Sequence, residues 1–308
     1  MPRTDALGAI GNTPLARLSR LVPEGSAEVW VKLEGQNPTG SQKDRMAVSV
    51  ILRALERGAL RPGERVVEYT AGSTGMALAF VCAVMGLRFT AVSSDAFSPS
   101  KLKSMEAYGA EVLIEPSNGE GITPALIARM RERAHALGRE PGHFYADQFG
   151  SPDVRAGYEG LGREIARQVP GGPDLLVAAV GTGASLMGTL DGLESEGLRL
   201  EAVALEPLQS PFLTTGKGGP HKVEGVGVGF APPFLDLARL REARAVDQER
   251  AFETCRRLAR EEGIFAGGST GLNVAAALDL AAELGPGRRV VTFACDSGSK
   301  YLGGPIYG

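Results

Sequence analysis

A lysine at the head of a helix is the first residue in this chain that its surroundings do not explain. Residues 36–46 read Gln-Asn-Pro-Thr-Gly-Ser-Gln-Lys-Asp-Arg-Met. Asn37-Pro38-Thr39-Gly40 is turn chemistry, and it follows Val29, Val31 and Leu33, whose alternation suits a half-buried strand. Met46, Ala47, Val50, Ile51, Ala54 and Leu55 then recur at helical spacing, which makes Ser41 the expected N-cap and puts Lys43 in the first turn. The positive end of the helix dipole disfavours a cation there. Two readings answer the misfit: a solvated Lys43 paired with Asp44 or Glu34, or an amine held uncharged as an imine with a carbonyl compound, which makes the lysine a covalent catalyst.

Two glycine-rich turns carry the other candidate chemistry. Thr70-Ala71-Gly72-Ser73-Thr74-Gly75 leads from a strand into a helix, where free N–H groups and the dipole bind a carboxylate or a phosphate. A plain N-cap by Ser73 or Thr74 explains the same residues. Gly181-Thr182-Gly183-Ala184-Ser185 follows an apolar strand and precedes Leu186, Met187 and Leu190. Leu186 occupies the place of a third dinucleotide-fingerprint glycine, and no Gly-Lys-Ser/Thr follows, so neither a dinucleotide nor a Walker A loop fits. Backbone closing on phosphate oxygens, helped by the hydroxyls of Thr182 and Ser185, does. Further along, a long glycine-rich connection over 206–229 includes Gly225, and Gly267-Gly268-Ser269-Thr270-Gly271 opens a helix with Ser269 or Thr270 as its cap.

Alternating elements must position these turns. Strands are expected over 64–69, 88–93, 111–115, 143–146, 174–180, 199–205 and 288–294, with helices over 75–84, 99–108, 124–137, 156–169, 186–194, 248–262 and 272–284. This α/β alternation predicts parallel sheets covered on both faces, with ligands at the carboxyl ends of the strands.

Composition narrows the partners. Among 308 residues, 42 are glycine, about twice the usual ~7%, without a repeat or low-complexity block. The net charge is −3 and no basic run or aromatic stripe occurs, which argues against nucleic acid. The longest nearly apolar run, 76–87, is too short for a bilayer, and residues 1–10 lack the apolar stretch of a secretory signal, so a cytoplasmic protein is expected. Cys82, Cys255 and Cys295 are odd in number and far apart, and His135, His143 and His221 lack ligand spacing, so neither a disulfide framework nor a metal site is expected.

Asn-Pro-Thr-Gly-Ser-Gln-Lys-Asp-Arg at 37–45 resembles the lysine motif of the cysteine synthase and cystathionine β-synthase family of pyridoxal-phosphate enzymes. Gly-Asn-Thr-Pro-Leu at 11–15, the turns at 70–75 and 181–185, and Asp296-Ser297-Gly298 resemble that family's motifs in the same order. The resemblance implies a two-domain tryptophan-synthase-like (fold type II) enzyme, each domain a mainly parallel sheet covered by helices. Residues 1–45 and 148–308 would form the larger, cofactor-binding domain and 46–147 the smaller, substrate-closing one.

It also implies roles. Lys43 would carry pyridoxal 5′-phosphate and move the α-proton of the substrate. Gly181, Thr182, Gly183, Ala184 and Ser185 would hold the phosphate, and Ser269 would face the pyridine nitrogen, with Ser297 the second candidate for that place. Thr70, Ala71, Gly72, Ser73, Thr74 and Gln148 would bind the substrate carboxylate, Ser73 would also reach the cofactor's 3′-oxygen, and Gly225 would border the site. The family has Asn at the position of Ser73 and Ser at that of Ala71, so the substrate pocket departs from its pattern here. Leu161-Gly162-Arg163-Glu164-Ile165 matches the family only loosely and receives no assignment.

The implied reaction is β-replacement on an activated serine: O-acetylserine plus sulfide gives cysteine and acetate, in a homodimer. Rivals are a cystathionine-forming enzyme, a β-eliminating lyase of serine, threonine or cysteine, and, from another class, a noncatalytic cofactor-binding regulatory protein. No haem-binding or regulatory extension like those of larger cystathionine-forming relatives is expected, which keeps cysteine synthesis ahead.

Overall fold

The computed structural model describes residues 3–308, so the first two residues of the 1–45 segment lie outside the described residues. In chain order the strands are β1 (Leu15–Arg17), β2 (Glu28–Leu33), β3 (Arg65–Tyr69), β4 (Arg88–Ser94), β5 (Glu111–Glu115), β6 (His143–Tyr145), β7 (Leu175–Ala179), β8 (Glu201–Pro207), β9 (Leu240–Val246) and β10 (Arg289–Ala294). The α-helices are α1 (Lys43–Glu56), α2 (Ser73–Met85), α3 (Pro99–Ala107), α4 (Pro124–Gly138), α5 (Pro152–Ala156), α6 (Glu159–Gln168), α7 (Ala184–Ser195), α8 (Phe212–Thr215), α9 (Gln248–Arg257) and α10 (Gly268–Leu284). Among the described residues no helix is long and apolar enough to cross a membrane.

The chain forms two compact units, and the larger comprises Gly11–Gln42 and Tyr158–Gly308. Its six strands run in the order β1-β2-β10-β7-β8-β9. Only β1 is antiparallel to its neighbour. Every residue of β7, Leu-Leu-Val-Ala-Ala, is buried, as a central parallel strand covered on both faces must be. Val29, Val177 and Val290 meet Leu272, Ala276 and Leu280 of α10 in the core on one of those faces.

Strand β9 was not expected. Its sequence, Leu-Arg-Glu-Ala-Arg-Ala-Val, has no apolar alternation because it is an outer strand, paired with β8 alone across a bulge at Ala202/Val203. Charges on such an edge discourage further pairing. The helix expected over 248–262 ends as α9 at Arg257 and continues as one π-helical turn, Leu258–Glu262. That turn brings the Glu262 carboxylate onto the N–H groups of Ser19, Arg20 and Leu21 at 3.0, 2.6 and 2.8 Å.

The smaller unit comprises the described residues up to Ile10 together with Lys43–Gly157. It is broader than the 46–147 span expected from the sequence. One cause is that Arg3 reaches Met85 of α2, with Nη2 3.6 Å from Sδ. The other is Gly157, where a Cβ would stand 2.8 Å from the Arg45 carbonyl oxygen and 2.8 Å from Met46 Cα. The chain therefore presses against the first turn of α1 there, and the helix expected over 156–169 begins only at Glu159, as α6, after the separate short helix α5 has ended at Ala156. The sheet is parallel throughout, in the order β5-β4-β3-β6. Val67 and Tyr69 pack against Leu126, Met130 and Ala134 of α4.

Each sheet reverses its winding once, next to β3 in the smaller unit, where β6 returns on the far side, and next to β7 in the larger, where β10 does. Such reversals leave a crevice at the carboxyl ends of the two strands. The two glycine turns singled out above follow β3 and β7.

Candidate active site

Lys43 is the first residue of α1 and is half-buried, ahead of the buried Asp44 and Arg45. Ser41, the expected N-cap, lies two residues before the helix and forms an antiparallel bridge with Asp296. The middle and the carboxyl end of α1 are tied to α5: Ser49 Oγ donates to the Asp153 carbonyl at 2.8 Å, and Arg57, just past the helix, pairs with the Asp153 carboxylate at 2.5 Å.

The turn at 70–75 in the same unit is organised by Thr70. Its buried Oγ1 accepts from the N–H groups of Gly72 and Gly75 at 3.1 and 3.0 Å, so this side chain shapes the loop from within. The glycines let the turn pack closely on side chains of α3. A Cβ on Gly72 would meet Lys101 Cδ at 2.6 Å, and one on Gly75 would meet Met105 Sδ at 2.3 Å. The N-cap of α2 is Gly72, so neither Ser73 nor Thr74 caps the helix, and of its first N–H groups only that of Gly75 is taken up by a side chain, Thr70. The N–H groups of Ala71, Ser73 and Thr74 have no hydrogen-bond acceptor among the described residues, so the loop presents donors at the positive end of a thirteen-residue helix.

Gln148, in the loop after β6, is joined to this turn. Thr74 Oγ1 donates to Gln148 Oε1 at 2.9 Å, and Gln148 Nε2 donates to the Tyr69 carbonyl at 2.9 Å. Beneath both lies Glu68, fully buried in β3, whose carboxylate accepts from the N–H of Tyr69 at 3.0 Å and of Gln148 at 2.9 Å. Burial pushes the Glu68 carboxyl up to about 8, with nearby Asp147 raising it further. Sequence inspection passed over Glu68. Its signal is a lone carboxylate in an otherwise apolar stretch of strand, Val66-Val67-Glu68-Tyr69.

In the larger unit, the turn at 181–185 enters α7. Gly183 adopts φ +84° as its N-cap, and a Cβ there would stand 2.9 Å from the backbone N of Leu235. A Cβ on Gly181 would meet the Gly225 carbonyl oxygen at 2.5 Å. Gly225 therefore lies against this turn, in a segment tied down by Gly227 N–H to the Val180 carbonyl at 3.0 Å and Phe234 N–H to the Thr182 carbonyl at 3.1 Å. Thr182 Oγ1 accepts from Ala184 N–H at 3.2 Å. The N–H groups of Ser185 and Leu186 have no acceptor among the described residues.

Ser269 and Ser297, the two candidates for one role, differ in environment. Ser269 is buried in the first turn of α10, and its hydroxyl makes no hydrogen bond among the described residues. Ser297 is half-exposed, and its Oγ lies 2.8 Å from Ser299 Oγ. Neither Ser269 nor Thr270 caps α10, whose N-cap is Gly267, and the position of Ser269 depends instead on Thr270 and on Asn273, which sequence inspection passed over. Thr270 Oγ1 accepts from Cys295 N–H at 3.0 Å, and Asn273 accepts from Ala179 N–H at 2.6 Å while donating to the Phe293 carbonyl at 2.8 Å. Asn273 thus ties α10 to the ends of β7 and β10. Its signal is a polar residue in the apolar face Leu272-Asn273-Val274-Ala275.

The cysteines are all buried and none is in a disulfide, and burial pushes the thiols of Cys82 and Cys255 up to about 12, outside the range of reactive thiolates. Among the described residues no group of His, Cys, Asp and Glu could hold a metal ion.

These donors suit pyridoxal phosphate. Two orphan N–H groups at the start of α7, with glycines that leave no room for side chains, match a phosphate dianion. A buried serine hydroxyl is a neutral partner for a pyridine nitrogen.

Comparison with known proteins bears on the same chemistry. Residues 6–296 match the family described as "Pyridoxal-phosphate dependent enzyme". A cysteine synthase of Staphylococcus aureus (strain Mu50 / ATCC 700699) is 40% identical over 300 residues, covering 97% of this chain and 95% of the relative. The crystal structure of an O-ureido-L-serine synthase superposes with a TM-score of 0.90 at 36% identity, over 99% of this chain and 95% of that one. That of an O-acetylserine-dependent cystathionine β-synthase from Helicobacter pylori gives 0.90 at 32% identity over 100% of both chains. With likeness of this extent, the chain belongs to the cysteine synthase and cystathionine β-synthase family of pyridoxal-phosphate-dependent enzymes.

Proposed function

We propose that this protein is a cysteine synthase, replacing the acetate of O-acetylserine with sulfide, and that Lys43 is its catalytic lysine. The observation that carries the reading is the pair of loops with unpaired N–H groups at the carboxyl ends of β3 and β7, one suited to a substrate carboxylate and one to a phosphate. Bound pyridoxal phosphate supplies the electron sink that stabilises negative charge at the substrate Cα.

The protein's own residues do the rest. The N–H groups of Ser185 and Leu186 would hold the phosphate, and the hydroxyl of Ser269 would be the partner of the ring nitrogen. Being neutral, that hydroxyl does not hold the nitrogen protonated, which restrains delocalisation and favours loss of a β-substituent over transamination. The N–H groups of Ala71, Ser73 and Thr74, with Gln148, orient the substrate carboxylate. Lys43 Nζ would take the α-proton, acetate would leave Cβ with its bonding electron pair, and once sulfide has added at Cβ the protonated Lys43 would return the proton to Cα. The hydroxyl of Ser73 serves the cofactor's 3′-oxygen with one donor where an amide would offer two.

A second reading rests on Ser73 and Ala71, the two departures in the carboxylate loop, and on the likeness to proteins named for O-ureido-L-serine and cystathionine. In that reading the same β-replacement uses a nucleophile other than sulfide. A β-eliminating lyase and a noncatalytic cofactor-binding protein are the remaining alternatives. Borohydride reduction followed by mass mapping should place the cofactor on Lys43, and attachment at another lysine refutes the assignment. A panel of O-acetylserine with sulfide, homocysteine or hydroxyurea then ranks the nucleophiles. Fastest cysteine formation supports the first reading, and a faster alternative establishes the second. We further propose a cytoplasmic homodimer, on the family resemblance. Light scattering of the purified protein tests the dimer, and cell fractionation the compartment.

A further inference from the structure

A carboxylate in the middle of a buried strand is costly unless its hydrogen bonds do something that an apolar residue could not. Glu68 has none of its surface exposed, makes no ion pair among the described residues, and points away from the face on which Val67 and Tyr69 meet α4. Its two oxygens are used separately, one for the N–H of its neighbour Tyr69 and one for the N–H of Gln148, 80 positions away.

The second bond closes a ring of contacts. Gln148 stands in a tight loop whose Asp147 has φ +52° and whose Gly150 and Ser151 N–H groups both return to the Asp147 carbonyl, at 3.1 and 2.9 Å. From that fixed backbone the Gln148 amide reaches Thr74 Oγ1 and the Tyr69 carbonyl. Thr74 belongs to the first turn of α2, which carries the unpaired N–H groups assigned above to the substrate carboxylate.

We propose that Glu68 is a positioning residue for amino-acid binding: by holding the backbone of Gln148 it sets the Gln148 amide against Thr74, and so fixes the carboxylate-binding turn at the head of α2. This rests on the reading of 70–74 and Gln148 as the substrate-carboxylate site. Gln148 keeps one Nε2 hydrogen beyond its bond to Tyr69, available to the ligand. Glu68 itself touches no substrate.

The test is a double-mutant cycle on the holoenzyme. Dissociation constants of glycine and L-alanine, which lack a leaving group, are read from the absorbance of the bound cofactor, alongside steady-state kinetics with O-acetylserine and sulfide. Glu68→Gln keeps the shape but replaces one acceptor with a donor that faces an N–H. It is expected to weaken amino-acid binding and raise the O-acetylserine KM about tenfold, the size of one lost hydrogen bond, with kcat and the sulfide KM within about twofold. Gln148→Ala should do the same, and E68Q/Q148A should bind no more weakly than Q148A alone. Full additivity in the cycle, or a fall in kcat with an unchanged KM, overturns the proposal.

Should E68Q fold poorly, Thr74→Val removes the other end of the ring, and a KM unchanged in T74V equally overturns it. Backbone hydrogen exchange gives a readout without turnover: the Gln148 amide should exchange faster in E68Q than in wild type, and equal rates refute the clamp. If O-acetylserine and sulfide yield no cysteine, the functional reading falls, while the exchange rates and amino-acid dissociation constants still decide the role of Glu68.

Discussion

Replacing Asn273 with alanine removes the side chain that joins α10 to two strands, and the structure sets the size of the effect. Two buried backbone groups lose their partners, the Ala179 N–H now bound at 2.6 Å and the Phe293 carbonyl now bound at 2.8 Å. Each orphaned group costs roughly 1–3 kcal/mol, so N273A should lose about 4 kcal/mol of stability in the larger unit. The loss falls four residues after Ser269, whose first turn is otherwise held by Thr270, so cofactor affinity should fall about tenfold or more. Denaturant unfolding of the cofactor-free protein, with hydrogen exchange at Ala179 as a local probe, measures the first effect, and titration with pyridoxal phosphate measures the second. N273D is the internal control. One oxygen of the new carboxyl faces the Phe293 carbonyl and must keep its proton to donate. The folded state thus raises its pKa above the unfolded value near ~3.9. Its stability should be best preserved at acid pH and fall as pH rises, a slope that N273A lacks. A loss below about 1 kcal/mol in N273A with unaltered exchange at Ala179 would refute this account of how Ser269 is positioned.

Three further outcomes are expected. Lys32 is wholly buried, 2.7 Å from Glu164 and 2.8 Å from Gln168 Oε1, so Lys32→Met leaves a buried carboxylate without its cation and should cost about 3–5 kcal/mol in urea unfolding. Adding E164Q should recover part of that loss, because the amide oxygen can still accept from Asn12 N–H. Glu68, raised to about 8 in the folded state from 4.5, keeps a proton that the unfolded chain releases, so stability should fall between those pH values by up to about 1.4 kcal/mol per unit, and comparison with E68Q should show that slope abolished. Gly183→Ala forces a side chain to φ +84° beside Leu235, and should lower the stability of the cofactor-free protein by about 1–2 kcal/mol and weaken cofactor binding in a fluorescence titration.

What could be read from the chain was local. The turn before Lys43 and the strand-and-helix alternation depend on residues within a few positions of one another, where φ preferences, spacing and side-chain periodicity act. The glycine turns at 70–75 and 181–185 stand out as short segments, although the atoms that crowd Gly72, Gly75, Gly181 and Gly183 come mostly from distant residues. Boundaries were less legible where tertiary contact intervened. The start of α6 falls three residues after the expected 156, next to Gly157 packed on α1, and β9 hides its strand character because an edge needs charges more than apolar alternation.

The amino-acid order by itself determined the α/β architecture and the candidate cofactor chemistry, since a lysine motif and two anion-binding turns in collinear order are statements about short segments. Only the folded chain decided which buried polar groups meet: Glu68 with Gln148 across 80 positions, Asn273 with Ala179 across 94, Lys32 with Gln168 across 136. A buried donor must find an acceptor somewhere, but no periodicity records where, because the partner is chosen by the packing of sheets and helices around it.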